Sequence, residues 1–244
     1  MNAQTTGECR FCLATRLPAD SDPPADSDAP YLVARLDGFL VMCDRTPLAP
    51  GHALLVPEEH VSSYSLLPGQ RLRQAEQLAV RIADGFYEIA NSTTLLGENG
   101  NERASGQHAA LHLIPAEGDV TRWFRQQKLR RLAEVWNLSD LHNLGGNRYV
   151  FAQQFARAGA VWDANDLPEH WLDRMINDQL GDDEWSWRDR LETRGPEIRS
   201  DAIRANLAIV FAAVGIWAGA PPAQAPVPPP QRRMRETTST RPRS

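Results

Sequence analysis

One amphipathic helical pattern set among short apolar runs is the feature that most constrains the fold of this 244-residue chain. From residue 68 to 90 apolar residues recur at intervals of three and four, which predicts a long helix with one buried face. Short apolar runs bounded by turn residues predict strands at 31–35, 38–43, 52–57, 93–96 and 109–114. Most of these strands are neighbours in sequence, which favours antiparallel pairing over βαβ units. We therefore expect an α+β fold: an antiparallel sheet of about five strands, the long helix packed on it, and a helical C-terminal extension.

Composition divides the rest of the chain. Residues 1–17 form an N-terminal arm with a Cys-x-x-Cys pair, and residues 18–30 (PADSDPPADSDAP) form an acidic loop that has too few apolar side chains to pack. The core is expected at 31–118 and the helical extension at 119–220. Residues 221–244 hold seven Pro and five Arg against one Glu, which predicts a disordered basic tail.

Charge and hydropathy exclude several classes of protein. The net charge of −5 argues against a general nucleic-acid binder, because such proteins are usually basic. The longest apolar stretch, at 207–220, is shorter than the ~20 residues that a membrane-spanning helix needs. Residues 1–17 lack the apolar core of a signal peptide, so we expect a cytoplasmic protein with no membrane partner.

Four motifs carry the candidate chemistry. They are CRFC at 9–12, FLVMCDRTPLAPGHALLVPEEHVSSY at 39–64, GENG at 97–100 and HAALHLIP at 108–115. In the last motif, alternate residues of a strand share one face of the sheet, so positions 108, 110 and 112 are expected to converge on one site.

Together these motifs resemble the histidine triad (HIT) superfamily of nucleotide hydrolases and transferases. The family strand Asp-x-x-Pro-x-x-Pro-Gly-His is matched from Asp44 to His52, and its Pro-Lys-x-His corner by Pro57 to His60. Glu58 stands where that corner has Lys, which removes one positive charge from the phosphate side. The resemblance also implies that part of the segment 153–188 covers the nucleotide site or supports a dimer.

The resemblance assigns the catalytic positions. In the family the middle His of the triad attacks the α-phosphate and forms a nucleotidyl-imidazole, and the outer two His stabilise charge. Here the outer positions are His108 and His112, and Ala110 stands at the position of the nucleophile. His52 is a fourth candidate, which backs the phosphate pocket. Because Ala110 offers no lone pair, the chain as written is not expected to perform the covalent step.

Two explanations of Ala110 remain open. One is an engineered replacement of a catalytic His in an active enzyme, which the intact residues around the gap favour. The other is a natural pseudoenzyme that binds nucleotide without cleaving it and acts as a regulator.

The resemblance also implies a nucleotide site. Asp44 is placed to accept hydrogen bonds from the ribose hydroxyls, and glycines let backbone N–H groups approach phosphate oxygens. Met42 lines either the base pocket or the core. The candidate nucleotide-binding residues are Asp44, Met42, Asn99, Ser105, Gly106 and Gln107.

The Cys-x-x-Cys pair predicts a structural zinc site when it is read with the resemblance. The implied ligands are Cys9, Cys12, His60 and His108, a closed Cys₂His₂ set. A metal-free arm is the alternative. We expect no organic cofactor, because the covalent intermediate replaces one.

The implied activity is that of a nucleotide-binding hydrolase. It acts at the α-phosphate of a nucleoside phosphoramidate, dinucleoside polyphosphate or nucleotidylated small molecule, and it forms a homodimer. The alternative enzyme is a nucleotidyltransferase or phosphorylase, which passes the nucleotide to an acceptor other than water.

Overall fold

The computed structural model describes residues 9–16, 31–44, 47–101, 106–116, 123–124, 126–142, 144, 148–168, 171–180 and 208–215. The predicted acidic loop, the predicted basic tail and the candidate Ser105 lie outside these residues. Among the described helices, none is both long and apolar enough to cross a membrane.

Eight strands form one antiparallel sheet in the order β1-β2-β3-β5-β4-β7-β8-β6. The strands are β1 (Leu32–Leu36), β2 (Phe39–Cys43), β3 (Ala53–Pro57), β4 (Thr94–Asn101), β5 (Leu111–Pro115), β6 (Arg131–Val135), β7 (Arg148–Gln154) and β8 (Gly159–Asp163). The helices are α1 (Arg10–Arg16), α2 (Gly69–Ala90), α3 (Trp171–Leu180) and α4 (208–215). Short 3₁₀ segments lie at Tyr64–Leu66 and Leu138–Leu141. The α+β class is confirmed.

The long helix α2 forms where the sequence pattern predicts it. Pro68 precedes its first turn, where the missing N–H costs nothing, and Asn91 ends it in the left-handed conformation with φ 48°. Its buried face packs on one side of the sheet, together with α4. The buried residues of the helix are Leu72, Ala75, Leu78, Ala79, Ile82, Ala83, Gly85 and Phe86.

The opposite face of the sheet carries two further apolar clusters. One joins α1 to β2 and β3 and consists of Phe11, Leu40, Met42, Leu54 and Val56. The other joins α3 to β4, β5, β7 and β8, and it includes Leu172 and Ile176 of the helix. The molecule therefore has three layers, and α1 and α3 cover the face that α2 leaves open.

The first hairpin turn differs from the expected one by one residue. The expected strands at 31–35 and 38–43 leave Leu36-Asp37 between them as the turn, but β1 extends to Leu36 and the turn is Asp37-Gly38. Both turn residues have positive φ, 51° and 79°. An Asp-Gly pair favours this conformation in two-residue hairpin turns.

The described part of the C-terminal extension contains three strands, which the prediction of a helical extension did not include. Strands β6, β7 and β8 lie between residues 131 and 163 and enlarge the sheet from the five strands expected to eight. The segments RYVFAQQ and GAVWD are rich in aromatic and β-branched residues, which favour strands. This composition is the local signal in the sequence for β7 and β8.

The first part of the Gly-rich segment is a strand rather than a loop. Gly97 and Gly100 lie on β4 and pair with Ala152 and Tyr149 of β7. A Cβ at Gly100 would overlap the ring of Tyr149, whose hydroxyl donates to the buried carboxylate of Glu98 at 2.5 Å. Gly100 is therefore required by packing, whereas a Cβ on the exposed Gly106 would meet no atom within 4 Å.

We expect Gly100→Ala to destabilise the protein by about 3 kcal/mol, because the Tyr149 ring that the new Cβ would overlap is fully buried and is held by its hydrogen bond to Glu98. Gly106→Ala is the matched control and should change the free energy of unfolding by less than about 0.5 kcal/mol. Urea denaturation of the two variants measures the difference. Equal stabilities would contradict the close approach of Tyr149 to β4.

Candidate functional site

Strand pairing places the candidate residues on the face of the sheet that α2 does not cover. His112 on β5 lies opposite Leu54 on one side and opposite Gly97 on the other. Its neighbours Leu111 and Leu113 point to the other face and are buried in the core around α2. Because successive side chains of β5 point to opposite faces of the sheet, His112 faces the site and its two leucine neighbours face the main core.

Three side chains meet at this point of the sheet: Asp44, His52 and His112. His52 Nε2 lies 3.0 Å from His112 Nδ1, and the carboxylate of Asp44 lies 3.8 Å from the first nitrogen and 3.9 Å from the second. Asp44 follows β2 and His52 precedes β3, and a backbone hydrogen bond between these two residues closes the connection. The turn of Pro and Gly that joins these strands therefore places both residues beside His112.

The hydrogen bonds of His52 define its tautomer. The backbone N–H of Leu48 donates to His52 Nδ1 at 3.1 Å, so this nitrogen carries no proton. Burial lowers the pKa of His52 to about 4, although the nearby carboxylate of Asp44 opposes the change. The ring is thus neutral at pH 7 with its proton on Nε2, which donates to His112 Nδ1. His112 in turn presents Nε2 as the nitrogen that remains for a ligand.

The other candidate nucleotide residues lie in several places. Met42 is fully buried in the cluster with Leu54, so it contributes to the core under the site. The Asn99 side-chain oxygen accepts the backbone N–H of Leu172 at 3.3 Å. Gln107 donates to the backbone oxygen of Asn99 at 2.6 Å, which ties the residues before β5 to β4.

Asp173 on α3 is a site residue that the sequence analysis missed. Its carboxylate lies 3.8 Å from His112 Nδ1, and both side chains are mostly buried. Acidic residues are common in the first turn of a helix, and Asp173 lies in the first turn of α3. Its position in the sequence therefore does not indicate a contact with β5. Only the packing of α3 on β4 brings it to the site.

A second cluster contains the four predicted metal ligands, Cys9, Cys12, His60 and His108. One ligand atom of each lies within 4.8 Å of every other. The Sγ-to-Nδ1 distances are 3.4 Å for Cys9–His108, 3.2 Å for Cys12–His60 and 3.6 Å for Cys12–His108. In a tetrahedral zinc site the corresponding sulfur–nitrogen separation is about 3.5 Å. The residues therefore fit a zinc ion.

The protonation of this cluster also suits a metal. His108 Nε2 donates to the carbonyl of Pro57 at 2.8 Å, which leaves the Nδ1 lone pair directed at the sulfur atoms. Such a bond from the second ring nitrogen is usual for a ligating His. Without metal, burial raises the pKa of the Cys9 thiol, but a hydrogen bond from a His108 ring that carries a proton on Nδ1 as well, together with the Cys12 backbone, outweighs this and lowers the pKa to about 6. A metal ion would take the place of that Nδ1 proton. A thiolate is the form that binds metal.

The hexapeptide HAALHL divides between the two clusters. Strand β5 begins only at Leu111, so the expected alternation does not extend back to His108. His108 lies in the Cys-containing cluster, and His112 lies beside His52. Ala110 is partly buried and packs against the cluster around Leu54. The three positions therefore do not converge on one point.

The two acidic residues of the Pro57–His60 corner face the surface. Glu58, which stands where the family has Lys, lies 3.5 Å from Arg35 on β1. Glu59 forms a pair with Arg71 at 2.9 Å, and burial and this pair act in opposite directions on its pKa, which is lowered on balance. Each carboxylate therefore has an arginine partner within the fold.

The chain is similar in sequence to a curated HIT-like protein. An uncharacterized HIT-like protein of Mycoplasma genitalium is 25% identical over 118 residues, which cover 47% of this chain and 77% of the relative. This similarity supports a HIT-like assignment. No family model matches the chain.

The structure is also similar to solved structures of histidine triad proteins. A zinc-bound histidine triad family protein from Mycobacterium smegmatis is 23% identical with a TM-score of 0.36, covering 46% of this chain and 78% of that one. A hypothetical histidine triad nucleotide-binding protein from Sulfolobus tokodaii is 27% identical with a TM-score of 0.30, covering 36% and 62%.

Protonation of His52 is expected to destabilise the fold. Its folded-state pKa of about 4 lies below the unfolded value of ~6.5, so the unfolded chain binds the proton more readily. The stability contributed by neutral His52 is complete above about pH 6.5 and is lost as the pH falls toward 4, by about 3 kcal/mol.

Urea denaturation of wild type and His52→Gln across this pH range measures the effect. The pH dependence should be smaller in the variant by about this amount, and His142→Gln serves as the control that retains it. A His52→Gln protein with the full wild-type pH dependence would contradict the assignment.

Proposed function

We propose that the chain is a HIT-like nucleotide-binding protein whose site lies between Asp44, His52 and His112. The observation that carries the proposal is the meeting of these three side chains at one point, from three separate segments of the chain. Asp44 supplies a carboxylate for the ribose hydroxyls, and the neutral His52–His112 pair supplies a donor for a phosphate oxygen. The 25% identical HIT-like relative supports the same class.

The reaction proposed for a form with His at position 110 is attack on an α-phosphate. The substrate class is a nucleoside phosphoramidate, a dinucleoside polyphosphate or a nucleotidylated small molecule. His112, once protonated, is then placed to give its Nε2 proton to the leaving group, because Nε2 is the ring nitrogen that does not face His52. With Ala110 the chain keeps the binding residues and lacks the nucleophile, so the proposed activity of this sequence is binding.

We also propose that zinc binds to Cys9, Cys12, His60 and His108 as a structural ion. The ion would join α1 to the loop after β3 and to the residues before β5. It would supply cross-linking rather than chemistry, because all four positions of a tetrahedral site are filled by protein ligands. The homodimer and the cytoplasmic location stay predictions from the resemblance.

Asp44→Asn should weaken the binding of AMP by roughly tenfold to a hundredfold, because hydrogen bonds to a charged group contribute about 1.5–3 kcal/mol. Isothermal titration calorimetry with AMP measures the change. Asp37→Asn is the matched control, since Asp37 lies in the β1–β2 turn, where Asn tolerates the positive φ. A wild-type protein that fails to bind AMP, or an Asp44→Asn protein that binds it unchanged, would exclude the proposed site.

Purified protein should contain one zinc ion per chain, and Cys9→Ser should lose most of it. Elemental analysis and thermal unfolding with and without a chelator test both points. Cys43→Ala is the control, because Cys43 is buried on β2 and is not part of the cluster. Zinc-free protein whose unfolding temperature does not respond to the chelator would contradict a structural ion.

A further inference from the structure

The first turn of α3 is fixed against the sheet beside His112. Leu172 is fully buried, and a Cβ added to Gly97 would lie 2.8 Å from one of its methyl groups. Gly97 is the residue that pairs with His112 across β4 and β5. The backbone N–H of Leu172 also donates to Asn99. The helix is thus positioned by packing and by a hydrogen bond at the level of the site.

This packing directs the carboxylate of Asp173 toward His112. The Oδ1-to-Nδ1 distance is 3.8 Å, close to the 3.9 Å that separates the same nitrogen from Asp44. Among the described residues, the titratable groups that face His112 are Asp44 after β2, His52 before β3 and Asp173 on α3. Two carboxylates and one neutral imidazole therefore surround a single ring nitrogen.

The hydrogen-bond arrangement allows only one state of His112 beside His52. Neutral His112 accepts the His52 Nε2 proton on Nδ1, as the 3.0 Å separation shows. If His112 gains a proton on Nδ1, two N–H groups face each other. The His52 proton cannot move to Nδ1 instead, because that nitrogen accepts the backbone N–H of Leu48. Protonated His112 must then turn its Nδ1–H to a carboxylate.

We propose that Asp173 is a positioning residue that accepts this hydrogen bond and holds His112 in its protonated form. Helix α3 is then part of the reaction site and not only a cover for the sheet. The catalytic meaning of this contact rests on the proposed function. Protonated His112 gives its Nε2 proton to the leaving group as the bond between that group and the α-phosphorus breaks. The ring is then neutral, and its remaining proton is on Nδ1, where Asp173 accepts it.

Nitrogen NMR of the imidazole rings tests the inference on the full chain without any nucleotide. At about pH 6 the ratio of protonated to neutral His112 should fall by roughly threefold to tenfold in Asp173→Asn, because a nearby opposite charge favours the charged form. Asp178→Asn changes an exposed carboxylate on the same helix and should leave the ratio unchanged. Asp173→Glu should restore most of the wild-type ratio.

An unchanged ratio in Asp173→Asn, or an equal fall in Asp178→Asn, would overturn the inference. A second measurement needs no variant: crystal structures at about pH 5 and about pH 8 should show His112 Nδ1 within hydrogen-bond distance of Asp173 only at the lower pH. A longer separation at both pH values would also overturn it. If AMP fails to bind, the proposed function is wrong. The NMR and crystallographic measurements still test the contact between Asp173 and protonated His112, because neither of them needs a nucleotide.

Discussion

Pairing between β3 and β5 holds the parts of the candidate site together. Three residue pairs, among them Leu54 with His112, join the strand that follows His52 to the strand that carries His112. A shift of one residue in this register would turn His112 into the core and expose Leu111 or Leu113. Because those leucines are fully buried against α2, the register is fixed by the same apolar surface that forms the main core.

The residues before β5 connect the two clusters. His108 lies only four positions before His112, yet it belongs to the Cys-containing cluster and is bonded to Pro57 at the end of β3. The proposed zinc ion would therefore hold the start of β5 against the end of β3, while His52 contacts His112 near the start of β3. One end of the β3–β5 pair is therefore held by the Cys-containing cluster and the other by the His52–His112 contact. In the sequence, Ala110 lies between His108 and His112.

Much of this arrangement could be predicted from the sequence because it depends on local patterns. The spacing of apolar residues predicted α2, and short apolar runs predicted β1 to β5. The strands β6, β7 and β8 were not predicted, because they lie in the segment 119–220 that was expected to be helical. Aromatic and β-branched composition over five to seven residues was the better guide there. Asp173 could not have been predicted, since its position depends on how α3 packs on Gly97 rather than on any pattern near it.

The central claim is that a nucleotide site is present and that only its nucleophile is missing. The most direct measurement is intact-protein mass spectrometry of Ala110→His after incubation with adenosine 5′-phosphoramidate. The new imidazole would attack the α-phosphorus, the P–N bond would break, and ammonia would leave with a proton. The account predicts an adduct of one adenylyl group on Ala110→His and none on the chain with Ala110. A folded Ala110→His protein that binds AMP but forms no adduct and releases no AMP would contradict it.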